Sequence, residues 1–456
     1  MFGKPGFRNL PPRKVTPPQR GANPNANRPA PASEPVRSGK SKAIGFAASV
    51  MIAFMVVPPG LDFTAHFQAS GGDIFGPIIL LGSLLLSLSI YFSNRKQCNA
   101  VLKETNPFFL ALIVLATVSY FWSYDPGITI HRWMRIYAFV LVGLAVAVKG
   151  WHRSRVQEVL RNVLTMLLVG SLIFGMLYPE LAIHQEDLPE LKGAWRGLTT
   201  QKNTLGALSG FTLILWLHAL AAKKNEGAKA IFGAVIALTC TILSRSSTSL
   251  IAGLFCGGVL YALIKLPRAV GSLLPFIVYS ITSLVIIFSL AVLKLVPGSE
   301  ALLSPIVSAT GKDLTFSGRS AIWEIVLDSI NGHRWLGCGY GAYWTANPDS
   351  DAYLQFINRK LVYPGEGHNG YLDVINELGY IGGFFLIAYI IYYIWQSLKL
   401  VKYDKEQAAL FIALMLFELI GNVTEAHWFS AAAADFPIMA IVTFALAAAL
   451  QKANSA

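Results

Sequence analysis

The sequence predicts an all-α polytopic membrane protein. Hydrophobic residues fill 54% of its 456 positions and charged ones only 14%. They gather in about twelve apolar runs, each long enough to cross a hydrocarbon core of about 30 Å as a helix that satisfies its own backbone where no water can. The runs centre near Val50, Leu81, Leu112, Val140, Leu168, Leu213, Ala237, Phe255, Leu284, Phe385, Ala413 and Val442. The third observation is the placing of basic residues, which sets the orientation.

The formal charge of +12 suggests nucleic acid until its location is examined. Residues 1–42 carry nine Lys or Arg against one Glu, and further clusters lie at Arg95, Lys96 and Lys103; Lys149, Arg153 and Arg155; Lys223, Lys224 and Lys229; Lys265 and Arg268; and Lys399, Lys402 and Lys405. With twelve spans, all six groups fall on one side. The positive-inside rule then puts both termini in the cytoplasm and residues 315–368 outside. Membrane lipids, not nucleic acids, are the partners of this charge. Cys98, Cys240, Cys256 and Cys338 share neither an oxidising compartment nor metal-ligand spacing, and read as packing residues.

Taken in order, residues 1–42 form a basic, Pro-rich cytoplasmic tail with too little apolar surface to offset ordering entropy. Spans one to nine occupy 43–296, an outer loop 297–372, spans ten to twelve 373–450, and a short cytoplasmic tail 451–456. His131, Arg132 and Arg135, beside Trp133 at the outer entry of span four, read as interface anchors. The loop after span five opens with Glu180, Glu186, Asp187 and Glu190, then becomes KGAWRGLTTQKN. Its Arg196 and Lys202 lie on the side poor in positive charge, so they answer either a bound anion or the loop's own carboxylates. The turn SRSSTS between spans seven and eight sets Arg245 among hydroxyls. It is either a phosphate-binding helix start or a capped turn with a snorkelling arginine.

The stretch from Thr315 to Gly382 carries the densest chemistry. Ile322, Ile325, Val326 and Ile330 recur at helical spacing, so Gly318 to Ile330 reads as an amphipathic helix, with Arg319 near its start able to face a diphosphate. Gly337, Gly339 and Gly341 allow a tight turn, but the spacing is not that of a nucleotide loop. His368 is the candidate for proton transfer, with Asn369 to orient it and Glu366 or Glu377 to polarise it. Glu425 and His427, outside between spans eleven and twelve, either line the same cleft or belong to an interfacial loop with Trp428.

These motifs resemble the O-antigen ligase and Wzy-type polysaccharide polymerase family. The carrying residues are Arg196 with Lys202, Asn203 and Gly206; the SRSSTSL turn; Ser317, Gly318, Arg319 and Trp323; Leu336 to Gly339; and His368 to Leu372 with Glu377 and Gly379. The resemblance implies a GT-C-like membrane fold and metal-independent, inverting glycosyl transfer on the outer face of a bacterial inner membrane, without a cofactor. The donor would be a glycan on undecaprenyl diphosphate and the acceptor a saccharide hydroxyl, with chain-length and export proteins as partners. It implies Arg196 and Arg319 as ligands of the leaving diphosphate, His368 as base, and Lys202, Asn203, Arg245, Asn369 and Glu377 as substrate-binding residues. Relatives carry a basic residue where this chain has Ser247, so Arg245 is equivalent only if it lies in the loop. The rival classes are a lipid-linked oligosaccharide flippase and a non-catalytic assembly subunit. Mostly uninterrupted spans, with ionisable groups collected at one face, speak against the flippase.

Overall fold

The computed structural model describes residues 75–148, 153–187, 191–222, 227–265, 273–292, 298–299, 304, 319–345, 347–431 and 433–455. The basic tail and the first expected span lie outside them. Among the described residues seven helices are long and apolar enough to cross a membrane, or eight if one bent pair counts as a span. No strand occurs there beyond a single antiparallel bridge between Ile183 and Trp195.

The eleven remaining expected spans all appear as helices. In chain order they begin with α1 (Phe75–Ser93), α2 (Arg95–Glu104), α3 (Pro107–Val118), α4 (Pro126–Val148) and α5 (Arg153–Leu177). They continue with α6 (Lys202–Ala221), α7 (Gly227–Leu243), α8 (Ser247–Lys265) and α9 (Leu274–Val292). The outer layer adds α10 (Arg319–Gly332) and α11 (Asp351–Asn358). The last three are α12 (Gly370–Leu400), α13 (Lys405–Gly421) and α14 (Asp435–Ser455).

The third expected span needs correction, because it is a bent pair: α2 meets α3 and the 3-10 turn after it at 102°. Asn106 makes the corner by accepting from the amides of Phe108 and Phe109, with Pro107 preset for the first helical turn. Arg95, Lys96 and Lys103 of α2 are exposed while Cys98 and Val101 are buried, the pattern of a surface helix with a basic face.

Helices α6 and α14 are buried over 78% of their apolar windows and α9 over only 28%, so the former are central and α9 peripheral. Close approach is made possible by small residues. A Cβ on Gly210 would lie 2.3 Å from Phe417, and one on Gly233 2.1 Å from Trp216. The outer layer has its own core, in which Trp323, Ile325, Val326 and Ile330 of α10 meet Trp344, Phe356, Leu372 and Val423.

One helix carries the site on a break. The 31 residues of α12 would run about 46 Å at 1.5 Å per residue, far more than a bilayer core requires. Gly379 interrupts it at φ 68°, a left-handed conformation that costs a residue with a Cβ. Four of the backbone groups beside the break are paired by the glycine-rich turn. Cys338 and Gly339 donate to the carbonyls of Asn376 and Glu377, and Tyr380 and Ile381 donate to those of Arg334 and Trp335. A Cβ on Gly379 would lie 2.0 Å from the Trp335 carbonyl oxygen, and one on Gly337 2.3 Å from the Glu377 backbone. Gly379→Val should therefore lower stability by about 3 kcal/mol or more. Thermal unfolding of the purified protein would show this as a large fall in midpoint, while Gly258→Ala, where nothing lies within 4 Å of the new Cβ, would cause none.

Candidate active site

The loop before α12 is placed by its neighbours. The indole of Trp323 donates to the Gly367 carbonyl at 3.0 Å, and the amide of Gly367 donates to Asp373 at 3.1 Å. Asp373 also accepts from Trp344 at 3.0 Å. Held on both sides, the chain presents His368 at φ 47°, a conformation non-glycine residues seldom adopt. Asn369 then caps α12, its oxygen accepting from Tyr371 and Leu372 and its nitrogen donating to the Val423 carbonyl. With its side chain committed to these bonds and fully buried, Asn369 serves as the cap of α12.

The loop from Asn422 to Trp428 joins the elements. Gly370 donates to the carbonyls of Asn422 and Glu425. Thr424 donates its hydroxyl to Thr248 of the serine-rich turn at 3.1 Å, and its carbonyl accepts from Arg319 Nη1. Glu425 stands at the centre. Its Oε1 lies 2.8 Å from Arg319 Nη2 and accepts from Asn203 Nδ2 at 2.8 Å; its Oε2 lies 3.7 Å from His368 Nδ1. On the other side Glu366 Oε1 is 2.9 Å from the same ring nitrogen, an ion pair rather than an aligned hydrogen bond.

The electrostatics follow from this packing. Burial disfavours the charged His368 ring, but Glu366 and Glu425 outweigh it and raise its pKa to about 9. Burial likewise disfavours the Glu425 carboxylate, yet His368 and Arg319 hold its pKa down to about 2. His427, two residues on, is 2.7 Å from Asp435; against its burial, Asp435, Glu418 and Glu425 raise its pKa to about 10.

Arg319, His368, Asn203, Glu366 and Glu425 thus share one cluster, partly open to solvent. Arg196 is placed by its own hairpin, its amide donating to Ala182 and its Nε to Leu181 at 2.8 Å. Arg196 and Lys202 both act electrostatically on buried His184, which pairs with Glu186 at 3.0 Å, and Lys202 adjoins Asn203. Arg245 does lie in the loop, at φ 51°, but its Nη1 donates to the Lys192 carbonyl at 2.7 Å and so supports the hairpin tip. Glu377 lies beside the helix break, 4.0 Å from Arg132, and Glu366 is the carboxylate that touches His368. Left open by the sequence was Glu425, and unrecognised was Asp373; a carboxylate in an apolar run five residues after His368 was the available signal. Glu366, His368 and Glu425 offer three donor atoms within 4.8 Å of one another, a spacing a cation could bridge. Arg319 and, when protonated, His368 carry the positive charge that faces these two carboxylates.

Residues 232–387 match the family model described as O-antigen ligase. The matched segment holds Arg245, Arg319 and His368 but neither Arg196, Asn203 nor Glu425. The chain is also 24% identical over 301 residues to the exopolysaccharide production protein ExoQ of Rhizobium meliloti (strain 1021), covering 63% of this chain and 64% of that protein. It therefore spans just under two thirds of that relative's length. Both findings support the O-antigen ligase and Wzy-type resemblance drawn from the motifs.

His368, raised from 6.5 to about 9, contributes stability that is complete below pH 6.5 and lost as pH rises through about 9; His427 does the same up to about 10. Glu425, lowered from 4.5 to about 2, contributes stability that is complete above pH 4.5 and lost as pH falls towards 2. Thermal unfolding followed against pH should thus decline above 6.5, and His368→Asn should remove the part of the decline that ends near 9.

Proposed function

We propose that the protein is a glycosyltransferase that joins lipid-linked oligosaccharides on the outer face of a bacterial inner membrane, with both termini in the cytoplasm. The observation that carries this reading is the cluster of Arg319, Glu425, Asn203 and His368, drawn from four distant parts of the chain to one face of a bundle of apolar helices. The donor is a glycan on undecaprenyl diphosphate and the acceptor a saccharide hydroxyl. The acceptor oxygen attacks the anomeric carbon, the bond from that carbon to the diphosphate oxygen breaks, and the lipid diphosphate leaves with the bonding pair.

Each residue has a physical task. Arg319, with Arg196 and with Lys202 at the start of α6, stabilises the charge that develops on the leaving diphosphate. His368 in its neutral form takes the acceptor's proton on Nε2, while Glu366 and Glu425 hold Nδ1 and stabilise the imidazolium that results. No step calls for a metal or cofactor. The similarity to an exopolysaccharide production protein and the STSL turn favour a polymerase over a ligase that transfers to a lipid A core. Chain-length and export proteins are the expected partners of a polymerase.

Purified protein given lipid-linked repeat units should lengthen them. Movement of the lipid without lengthening would make it a flippase, and neither result an assembly subunit. His368→Ala and Arg319→Ala should each cost about 100-fold or more in transfer rate while the protein still reaches the membrane. With His368 as base and a pKa near 9, the rate should climb about tenfold per pH unit from 7 towards 9 and then level. A rate that falls above pH 9 would make the imidazolium the active form and remove the base assignment.

A further inference from the structure

Glu425 holds two kinds of partner at once, and the two distances differ. One oxygen is engaged with Arg319 and Asn203, both at 2.8 Å, while the other stands 3.7 Å from His368, too far for a hydrogen bond. The Arg319 Nη2 that the carboxylate engages is a donor a phosphoryl group would also use, since both anions accept from guanidinium N–H groups. A buried carboxylate and a bound diphosphate cannot occupy it together. When the guanidinium turns to the stronger anion, the carboxylate needs another cation, and the nearest is the His368 ring.

We propose that Glu425 is a positioning residue that exchanges partners: the donor's diphosphate displaces it from Arg319 and Asn203, and the displaced carboxylate closes onto His368 Nδ1. This rests on the glycosyl-transfer reading given above and deepens it. Binding of the donor thereby brings a second carboxylate to Nδ1, which Glu366 already faces at 2.9 Å, and leaves Nε2 turned to the acceptor. The exchange makes the order of events donor first, acceptor second, because the contact of Glu425 with the base closes only after the diphosphate has arrived. It is also thrifty in charge, since the count of buried cations and anions changes only by the incoming ligand. Thr424 keeps its carbonyl on Arg319 Nη1, and Thr248 keeps the Thr424 hydroxyl, so the backbone need not move for the side chain to swing.

The test is titration of the full-length protein in lipid nanodiscs with inorganic diphosphate, together with steady-state rates on lipid-linked repeat units. Glu425→Gln removes the competing charge and should tighten diphosphate binding about tenfold, equivalent to about 1.4 kcal/mol. The same variant should lower kcat at least tenfold while KM for the donor falls, a split that a merely structural role would not produce. Glu425→Asp, one methylene shorter, reaches Arg319 less well and should also bind diphosphate more tightly than the parent, which serves if the glutamine variant does not fold. Binding that is unchanged or weaker in whichever variant folds overturns the exchange. Arg319→Ala separates the two levels. If it binds diphosphate as well as the parent, the reading of Arg319 as a diphosphate ligand falls; if it loses binding while the Glu425 variants bind no more tightly, only the exchange falls.

Discussion

A single buried carboxylate has to satisfy cations and donors from three separate elements. Glu425 is reached by Arg319 at the start of α10, by Asn203 at the start of α6 and by His368 in the loop before α12. Burying it unpaired would cost several kcal/mol, so the loop that carries it cannot move without breaking all three contacts. That loop in turn caps α12 through Gly370 and Asn369 and is braced from below by Asn422, which accepts from the amides of His427 and Trp428 and donates to Glu418. The site is thus held by electrostatic demand at its centre and by ordinary hydrogen bonding around it.

The break in α12 solves a different problem. A helix that is continuous through the bilayer and into the outer layer would fix its last turns on one line with the span. Interrupting it at Gly379 frees the direction of residues 370–378, which pack against α10, from that of 380–400, an apolar run long enough to cross a membrane. The four amides and carbonyls released would be costly in an apolar setting, and the turn from Arg334 to Gly339 accepts and supplies each of them. The glycines of L-G-C-G and E-L-G are therefore two halves of one clasp. Their place in the sequence motif reflects backbone packing.

The buried charges are also balanced locally. Arg319 and the His368 ring meet Glu425 and Glu366, while His427 meets Asp435. Such pairing explains why His368 and Glu425 move in opposite directions from their ordinary pKa values despite sharing one environment. Burial alone would have neutralised both, and it is the contacts that keep them charged.

Hydropathy and basic-residue placement by themselves determined that the chain is a multi-spanning helical membrane protein, because helix formation in lipid depends on a local run of apolar residues. The same local signals marked Arg319 and His368 as chemistry, as charged groups standing out in an apolar chain. They did not show that α2 and α3 form a bent pair, since a corner made by Asn106 and Pro107 leaves the apolar count of the window unchanged. Nor could they show which carboxylate serves His368 or that Asn369 is spent as a cap. Glu425 lies 106 residues from Arg319 and 222 from Asn203 in the chain. Contacts of that kind have no periodicity to read, so only the packing of the helices decided them.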